Sequence, residues 1–265
     1  MIYDSSSIIH RNIIFDAIVR GNNFEQRVYP SFVNFIDFIE KQNGKYVLTY
    51  GTLLGCIRDN KRTLWDDDFD IFMFEKDMNV FHNCLPSLHL RPFYYSPFIT
   101  PPEGGVSNVR RCIPEKDIIY KINYGFYNYI ITKNKNDFYQ VWNVNIINNQ
   151  ILNKVTDIFY EKYYHKYKKP YYNSITTEFF NGRLYNIPSN YHEILVSSYG
   201  NNYINEYVCF NHIVASCYLD KNRDKYLIIT RDDYNSFVNM LLLRSEQKSF
   251  LLSELKNKFI TTLKN

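Results

Sequence analysis

Asp66, Asp67, Asp68 and Asp70 put four carboxylates within five residues, directly ahead of the apolar run Ile71–Phe72–Met73–Phe74. In a strand, side chains two apart share a face and sit about 6.5–7 Å apart at the backbone. Asp68 and Asp70 therefore point one way, and Phe69 and Ile71 the other. Two ionised carboxylates brought within about 4 Å repel by about 4 kcal/mol at an effective dielectric of 20. Such a pair either takes up a proton or holds a cation between its members. Hard divalent cations such as Mg²⁺ prefer carboxylate oxygens and are often completed by substrate phosphates. A solvated acidic turn would present the same letters, so the weight falls on what precedes the cluster.

What precedes it is ordered. Tyr46–Val47–Leu48–Thr49–Tyr50 reads as a short strand, Gly51 as a turn, and Thr52 to Ile57 as an apolar run closed by Arg58. A basic loop carrying Arg58, Lys61 and Arg62 then leads to Trp65 and the carboxylates. A glycine lets a phosphate approach the backbone, and free N–H groups at a helix start favour an anion, so Gly51 and Thr52 are candidate phosphate contacts. Arg58, with Lys61 or Arg62, is the candidate partner for phosphate oxygens.

The pattern G-T-L-L-G-x-x-R followed by W-D-D-D-x-D-I resembles the LicD/fukutin family of phosphotransferases, variants of the nucleotidyltransferase fold. The likeness is close over Tyr46–Phe74 and resumes at Phe180–Asn181–Gly182–Arg183–Leu184–Tyr185–Asn186–Ile187–Pro188–Ser189–Asn190–Tyr191, then Leu195 and Tyr199–Gly200. The resemblance implies a third carboxylate from a neighbouring strand, in an apolar–Asp–apolar–aromatic setting. Asp157, in Thr156–Asp157–Ile158–Phe159, stands in that position, and Asp117, before Ile118–Ile119–Tyr120, is the competitor. It further implies that Asp68, Asp70 and Asp157 hold one or two Mg²⁺ or Mn²⁺ ions, with Asp66 beside them or on a second ion. Arg183 or Asn190 would lie on the donor side, and Trp65 would be a stacking wall or a buried brace.

Composition narrows the class. The chain has 265 residues with 45% hydrophobic content, enough for a sizeable core. Its 25 Tyr and 20 Phe fit a compositional bias better than a base-stacking surface, and the net charge of +4 is spread without a basic stripe. That argues against a general nucleic-acid binder. Cys56, Cys84, Cys112, Cys209 and Cys217 are odd in number and form no C-x-x-C, so a reducing compartment is expected. The N-terminal stretch has no basic start with an apolar core, and no run reaches the ~18 apolar residues of a membrane span. The expectation is a soluble, cytoplasmic protein. The six histidines, His10, His82, His89, His165, His192 and His212, form no cluster.

Along the chain, residues 7–20 have helical spacing. Pro30 to about Gln42 is a strong helix with Phe32, Phe35, Ile36 and Ile39 on one face, stopped at Asn43–Gly44. Asp77 to about Cys84 reads as a short helix. Leu85 to Pro114, rich in proline and carrying Arg110 and Arg111, is irregular. Strands are expected at Ile118–Tyr124, Asn128–Lys133, Phe138–Ile147 and Val155–Tyr160, as an antiparallel meander. Asn181–Gly182 marks a hairpin turn, followed by a helix from Ser189 that ends at Gly200. Leucines between 241 and 263 recur at helical spacing.

These readings combine into an α+β fold: a nucleotidyltransferase-like mixed or antiparallel sheet with flanking helices. Residues 1–200 would form the catalytic domain, and 201–265 a helical C-terminal extension on the same core. By resemblance, the function is metal-dependent transfer of a phospho-alcohol from a CDP-linked donor such as CDP-choline, CDP-ribitol or CDP-glycerol to a glycan hydroxyl. The alternatives are a true nucleotidyltransferase using an NTP and a non-catalytic binding protein on the same fold.

Overall fold

The computed structural model describes residues 26–63, 66, 68–81, 84–86, 93–95, 112–113, 115–134, 138–161, 163, 172, 174–209, 227–232, 234–235 and 239. The helix expected from Pro30 starts earlier and spans residues 26–41 (α1). A proline in a first turn is tolerated because its missing N–H has no helical partner there, so the first turn extends upstream of it. Phe32, Phe35, Ile36 and Ile39 are fully buried on one face. Asn43 adopts φ +57° as the chain leaves the helix.

β1 (Tyr46–Leu48) follows, and then α2 (Tyr50–Asp59), so the apolar strand is two residues shorter than the sequence suggested. Tyr50 takes φ +44° at this junction, which turns the chain sharply from strand to helix. β2 is Asp70–Met73. The short helix expected at Asp77–Cys84 is a 3₁₀ helix at Glu75–Phe81. Within the irregular segment the described residues form the short strands β3 (Leu85–Pro86), β4 (Phe93–Tyr95) and β5 (Cys112–Ile113). The meander is present as β6 (Ile118–Tyr124), β7 (Tyr127–Lys133), β8 (Tyr139–Asn145) and β9 (Gln150–Tyr160).

Among the described residues these strands form one mixed sheet in the order β1-β2-β9-β8-β7-β6-β3, with β4 pairing β5 and the early part of β9. β1 runs antiparallel to β2, β2 runs parallel to β9, and the meander is antiparallel throughout. The fold is α+β, as expected.

Both faces of the sheet are covered, so β2 is buried at every position. On one side α1 packs down, with Phe32 stacked on Phe69 at 4.3 Å and Phe35 edge-on to Tyr129 at 5.3 Å. On the other, Ile113, Ile118, Ile130, Trp142, Val144 and Ile151 form a smaller cluster. Tyr129 and Ile131 belong to the larger core while Ile130 joins the smaller one, the alternation a two-sided strand requires.

β10 (Ile175–Phe180) and β11 (Arg183–Pro188) form the expected hairpin, Phe180 pairing with Arg183 across Asn181–Gly182. Both loop residues have positive φ, +50° and +79°, the geometry that matches strand twist in a two-residue turn. α3 (Tyr191–Tyr199) follows, with Asn190 rather than Ser189 at its N-cap and Gly200 at its C-cap. In the region expected to be a helical extension, the described residues include an antiparallel pair, β12 (Glu206–Cys209) with β13 (Leu227–Thr230). The helices expected at 7–20 and in 241–263 lie outside the described residues, as do Arg110 and Arg111.

Candidate functional site

Asp70 opens β2, and Asp157 lies opposite it in the parallel pairing with β9. Partners in register on neighbouring strands point to the same side of a sheet. Asp68, two residues before Asp70, shares that side. Backbone bonds lock the arrangement: Asp157 N–H and Thr156 Oγ1–H both donate to the Phe69 carbonyl, at 2.9 Å each. Phe69 is turned into the core, where Phe32 stacks on it. Each Asp68, Asp70 and Asp157 offers one oxygen, and these oxygens all lie within 4.8 Å of one another. The three residues retain only 7, 8 and 6% exposure.

Crowded, nearly buried carboxylates resist ionisation. Burial, and then the charges of Asp68, Asp66 and Asp157, hold the Asp70 carboxyl well above its ordinary range, against a smaller lowering by Lys154. Burial likewise pushes Asp157 up to about 6, with Lys154 opposing and Asp68 adding to the rise. The Lys154 ammonium donates to Asp68 Oδ2 at 2.6 Å and to Asp157 Oδ2 at 3.2 Å. Gln140 Nε2, from the partner strand β8, donates to Asp157 Oδ1 at 3.4 Å. Tyr199, at the end of α3, feels the same charges: after burial, Asp70 and Asp66 push its phenol up.

Three hard carboxylates that already draw an ammonium fit a divalent ion such as Mg²⁺ or Mn²⁺, which takes oxygen ligands. Asp66 stands apart from the 4.8 Å group. Its carboxylate lies against Gly51, where an added Cβ would come within 2.5 Å of Asp66 Oδ2. The anion found beside the start of α2 is therefore a side chain of the protein itself. Thr52 is fully buried, and its hydroxyl accepts the Asp70 backbone N–H at 2.8 Å, which pins the first turn of α2 to the mouth of β2.

The basic residues are disposed otherwise than as a phosphate clamp. Arg58 is buried over the Tyr207 ring, 3.6 Å from its centroid. It donates to Thr63 Oγ1 (2.9 Å), Asp59 Oδ2 (3.2 Å) and the carbonyls of Glu206 (3.3 Å) and Tyr203 (3.5 Å). Arg62 is buried and donates to the carbonyls of Thr63 and Asp66, which shapes the loop that delivers the carboxylates. Lys61 is exposed. Arg183 bridges from β11 to Asp37 (2.7 Å) and Glu40 (2.9 Å) of α1. Trp65 and Asp67 lie outside the described residues. Asp117 is exposed ahead of β6, three strands from β9 in the sheet order.

Lys154, Gln140 and the position of Tyr199 were not foreseen from the sequence. Gln140 could have been found as the cross-strand neighbour of Asp157 once the meander register was assumed. Lys154 could not, because a spacing of three along a regular strand puts two side chains on opposite faces.

Residues 43–190, more than half of the chain, match the family described as LicD/FKTN/FKRP, nucleotidyltransferase domain. The chain belongs to this family. Every carboxylate of the buried group and the whole β2–β9 pairing fall within the matched residues of this LicD-family chain. Membership implies a transferase with phosphotransferase-type chemistry on glycans, working with a nucleotide-linked donor. The comparison with curated proteins returned no match. No helix among the described residues is long and apolar enough to cross a membrane.

Proposed function

We propose that this LicD-family chain transfers a phospho-alcohol, of the phosphocholine or ribitol-phosphate type, from a CDP-linked donor to a hydroxyl of a glycan, in a metal-dependent reaction. The observation that carries this reading is the buried group of Asp68, Asp70 and Asp157, with oxygens within 4.8 Å and little access to water. These three side chains would hold Mg²⁺ or Mn²⁺. When bound, the ion would neutralise donor phosphate oxygens and the charge that grows on them in the transition state.

The chain's own residues supply the positioning. Thr52 holds the backbone of Asp70, the Phe69 carbonyl ties Asp68–Asp70 to β9, and Gln140 orients Asp157. Ligands fixed by such supports need little reorganisation when substrate arrives. The cover on both faces of β2 keeps the carboxylate backbone dry, which strengthens every charge interaction in the site. Asp66, whose carboxylate lies against Gly51 in the first turn of α2 and outside the trio of Asp68, Asp70 and Asp157, is the candidate for a second ion or for the acceptor hydroxyl. The exposed Lys61 is the candidate for contact with the donor's diphosphate, since the Asp66 carboxylate already covers Gly51.

The test is release of CMP from CDP-choline, CDP-ribitol and CDP-glycerol, each with Mn²⁺ and with chelator, in the presence of a glycan acceptor, with CTP as a control. Metal-dependent CMP release from one donor supports the reading and identifies the alcohol. Pyrophosphate release from CTP in place of CMP release from any donor would replace it with nucleotidyl transfer. Metal binding with no turnover of any donor would point to a binding protein.

A further inference from the structure

We propose that Lys154 is a tethered counter-ion of the carboxylate group: it bridges Asp68 and Asp157 when no divalent cation is bound, gives way to that cation, and then pairs with the donor's phosphates. The inference rests on the metal-dependent reading above and adds a role for a residue that reading does not use.

The backbone is built to bring Lys154 to this position. It lies three positions before Asp157, so in a regular strand the two would face opposite ways. In the pairing of β8 with β9, Val141 partners Thr156 while the next residue, Trp142, partners Lys154. Val155 is therefore the extra residue of a β-bulge. A bulge of this kind re-aims the side chains that follow it, and it disrupts a ladder bond locally. Here it turns Lys154 onto the face of Asp157. Val155 is itself fully buried in the main core, which fixes the bulge in place.

The contacts define what Lys154 does there. Its ammonium lies 2.6 Å from Asp68 Oδ2 and 3.2 Å from Asp157 Oδ2. Asp157 belongs to β9 and Asp68 to the segment entering β2, so the ammonium links the two. A magnesium ion binds carboxylate oxygens at about 2.0–2.1 Å. An ion bound to these same oxygens would lie within contact distance of the ammonium and would repel it. The two cations compete for one place.

Lys154 also has somewhere to go. Its side chain keeps 22% exposure, against 10 and 8% for those of Asp68 and Asp157. Lysine carries a compact charge on a flexible four-carbon stem, so the head can leave while the stem stays packed. A nucleoside diphosphate bound at the ion would bring the nearest new anions. The Arg58 guanidinium is committed elsewhere, to Tyr207, Thr63 and the 203–206 carbonyls.

The experiment is calorimetric titration of the full chain with Mn²⁺ alone, for the wild type, Lys154→Met and Lys154→Arg. CDP is then titrated into each Mn²⁺-saturated protein, and the melting temperature is recorded without metal. The proposal expects Lys154→Met to bind Mn²⁺ about tenfold more tightly, about 1.4 kcal/mol. It expects the same variant to bind CDP more weakly and to melt lower without metal, while Lys154→Arg stays near the wild type. A lysine that served only to hold the fold would lower the Mn²⁺ affinity when removed, so the sign of the change separates the two roles. Lys154→Gln, of similar length, is read the same way if the Met variant does not fold. Wild-type Mn²⁺ binding with no tightening in a folded Lys154→Met protein overturns the competition and leaves the metal-dependent reading standing. Unchanged CDP affinity overturns the phosphate pairing. Absence of Mn²⁺ binding in every variant overturns both the competition and the metal-dependent reading.

Discussion

Asp70 and Asp157 face one another across the parallel pairing of β2 and β9, far apart in sequence and adjacent in the sheet. Parallel partners cannot be joined by a tight turn, so a long crossover must separate them. Here that crossover contains the 3₁₀ turn and the whole β6–β8 meander. The long gap between the two carboxylates thus follows from the topology. The meander adds strands beyond β9 and leaves the β2–β9 junction intact.

The first prediction concerns the carboxylates themselves. Changing Asp68, Asp70 or Asp157 to Asn should lower transferase activity by about 100-fold or more, as for loss of a group that stabilises transition-state charge. Asp70→Asn should also raise the melting temperature of the metal-free protein, because it removes a buried charge that three other acids repel. Turnover assays beside thermal melts check both halves. Near-normal activity in a folded variant would remove that residue from the site.

A second prediction follows from linkage. Asp157 has a folded-state carboxyl pushed up from 3.8 to about 6, so the folded protein binds its proton more tightly than the unfolded chain does. Between these values the folded state holds more protons, and stability must fall as pH rises through that window. The difference in melting temperature between metal-free wild type and Asp157→Asn should therefore shift in favour of the variant from about pH 4 to above about pH 6. Saturating Mn²⁺ should weaken that trend, because the ion binds the ionised form. A difference that stays flat with pH would show that Asp157 is not strained in the folded state.

Asp68 and Asp70 could be read together in the sequence because they obey the two-residue period of a strand, whereas Asp157 was reached only through the family resemblance, with Asp117 as its competitor. Other features were hidden for physical reasons. The strand containing Asp157 begins at Gln150 and not at Val155, since Asn153 and Lys154 interrupt the alternation and two register shifts break the period. Tyr50 looked like the end of a strand because aromatic residues favour strands. Only its positive φ, which letters do not carry, marks the helix start. Arg58 and Thr52 were expected to meet phosphate because their types can. A sequence does not say that Tyr207 and the Asp70 amide meet them first.

Thr52 gives the third prediction. Replacing it with Val keeps the shape and removes the hydroxyl that accepts the Asp70 N–H. A buried donor left without a partner costs about 1–3 kcal/mol. The loss falls on the residue that opens β2, so Mn²⁺ affinity should drop together with stability. Titration of Mn²⁺ into Thr52→Val and Thr52→Ser separates the cases: serine restores the acceptor and should recover most of the affinity. A Val variant with wild-type Mn²⁺ binding would mean that Asp70 is held without Thr52.

The final prediction separates two uses of an arginine. Were Arg58 a phosphate ligand, its removal would weaken donor binding and spare the fold. Its buried guanidinium instead stacks on Tyr207 and bonds to Thr63, to Asp59 and to two carbonyls of the 203–206 segment. Tyr207 in turn donates to Asp59, and Arg231 donates to the Arg58 carbonyl and to Asp59, so one network joins α2 to the C-terminal part of the chain. Arg58→Met should therefore cost roughly 2–4 kcal/mol of stability, from lost stacking and orphaned buried acceptors. Arg58→Lys should recover little of it, because an ammonium reproduces neither the planar stack nor the fork of donors. Donor affinity, measured by titration below the melting temperature of each variant, should stay close to that of the wild type. A selective loss of donor affinity with unchanged stability would return Arg58 to the phosphate site.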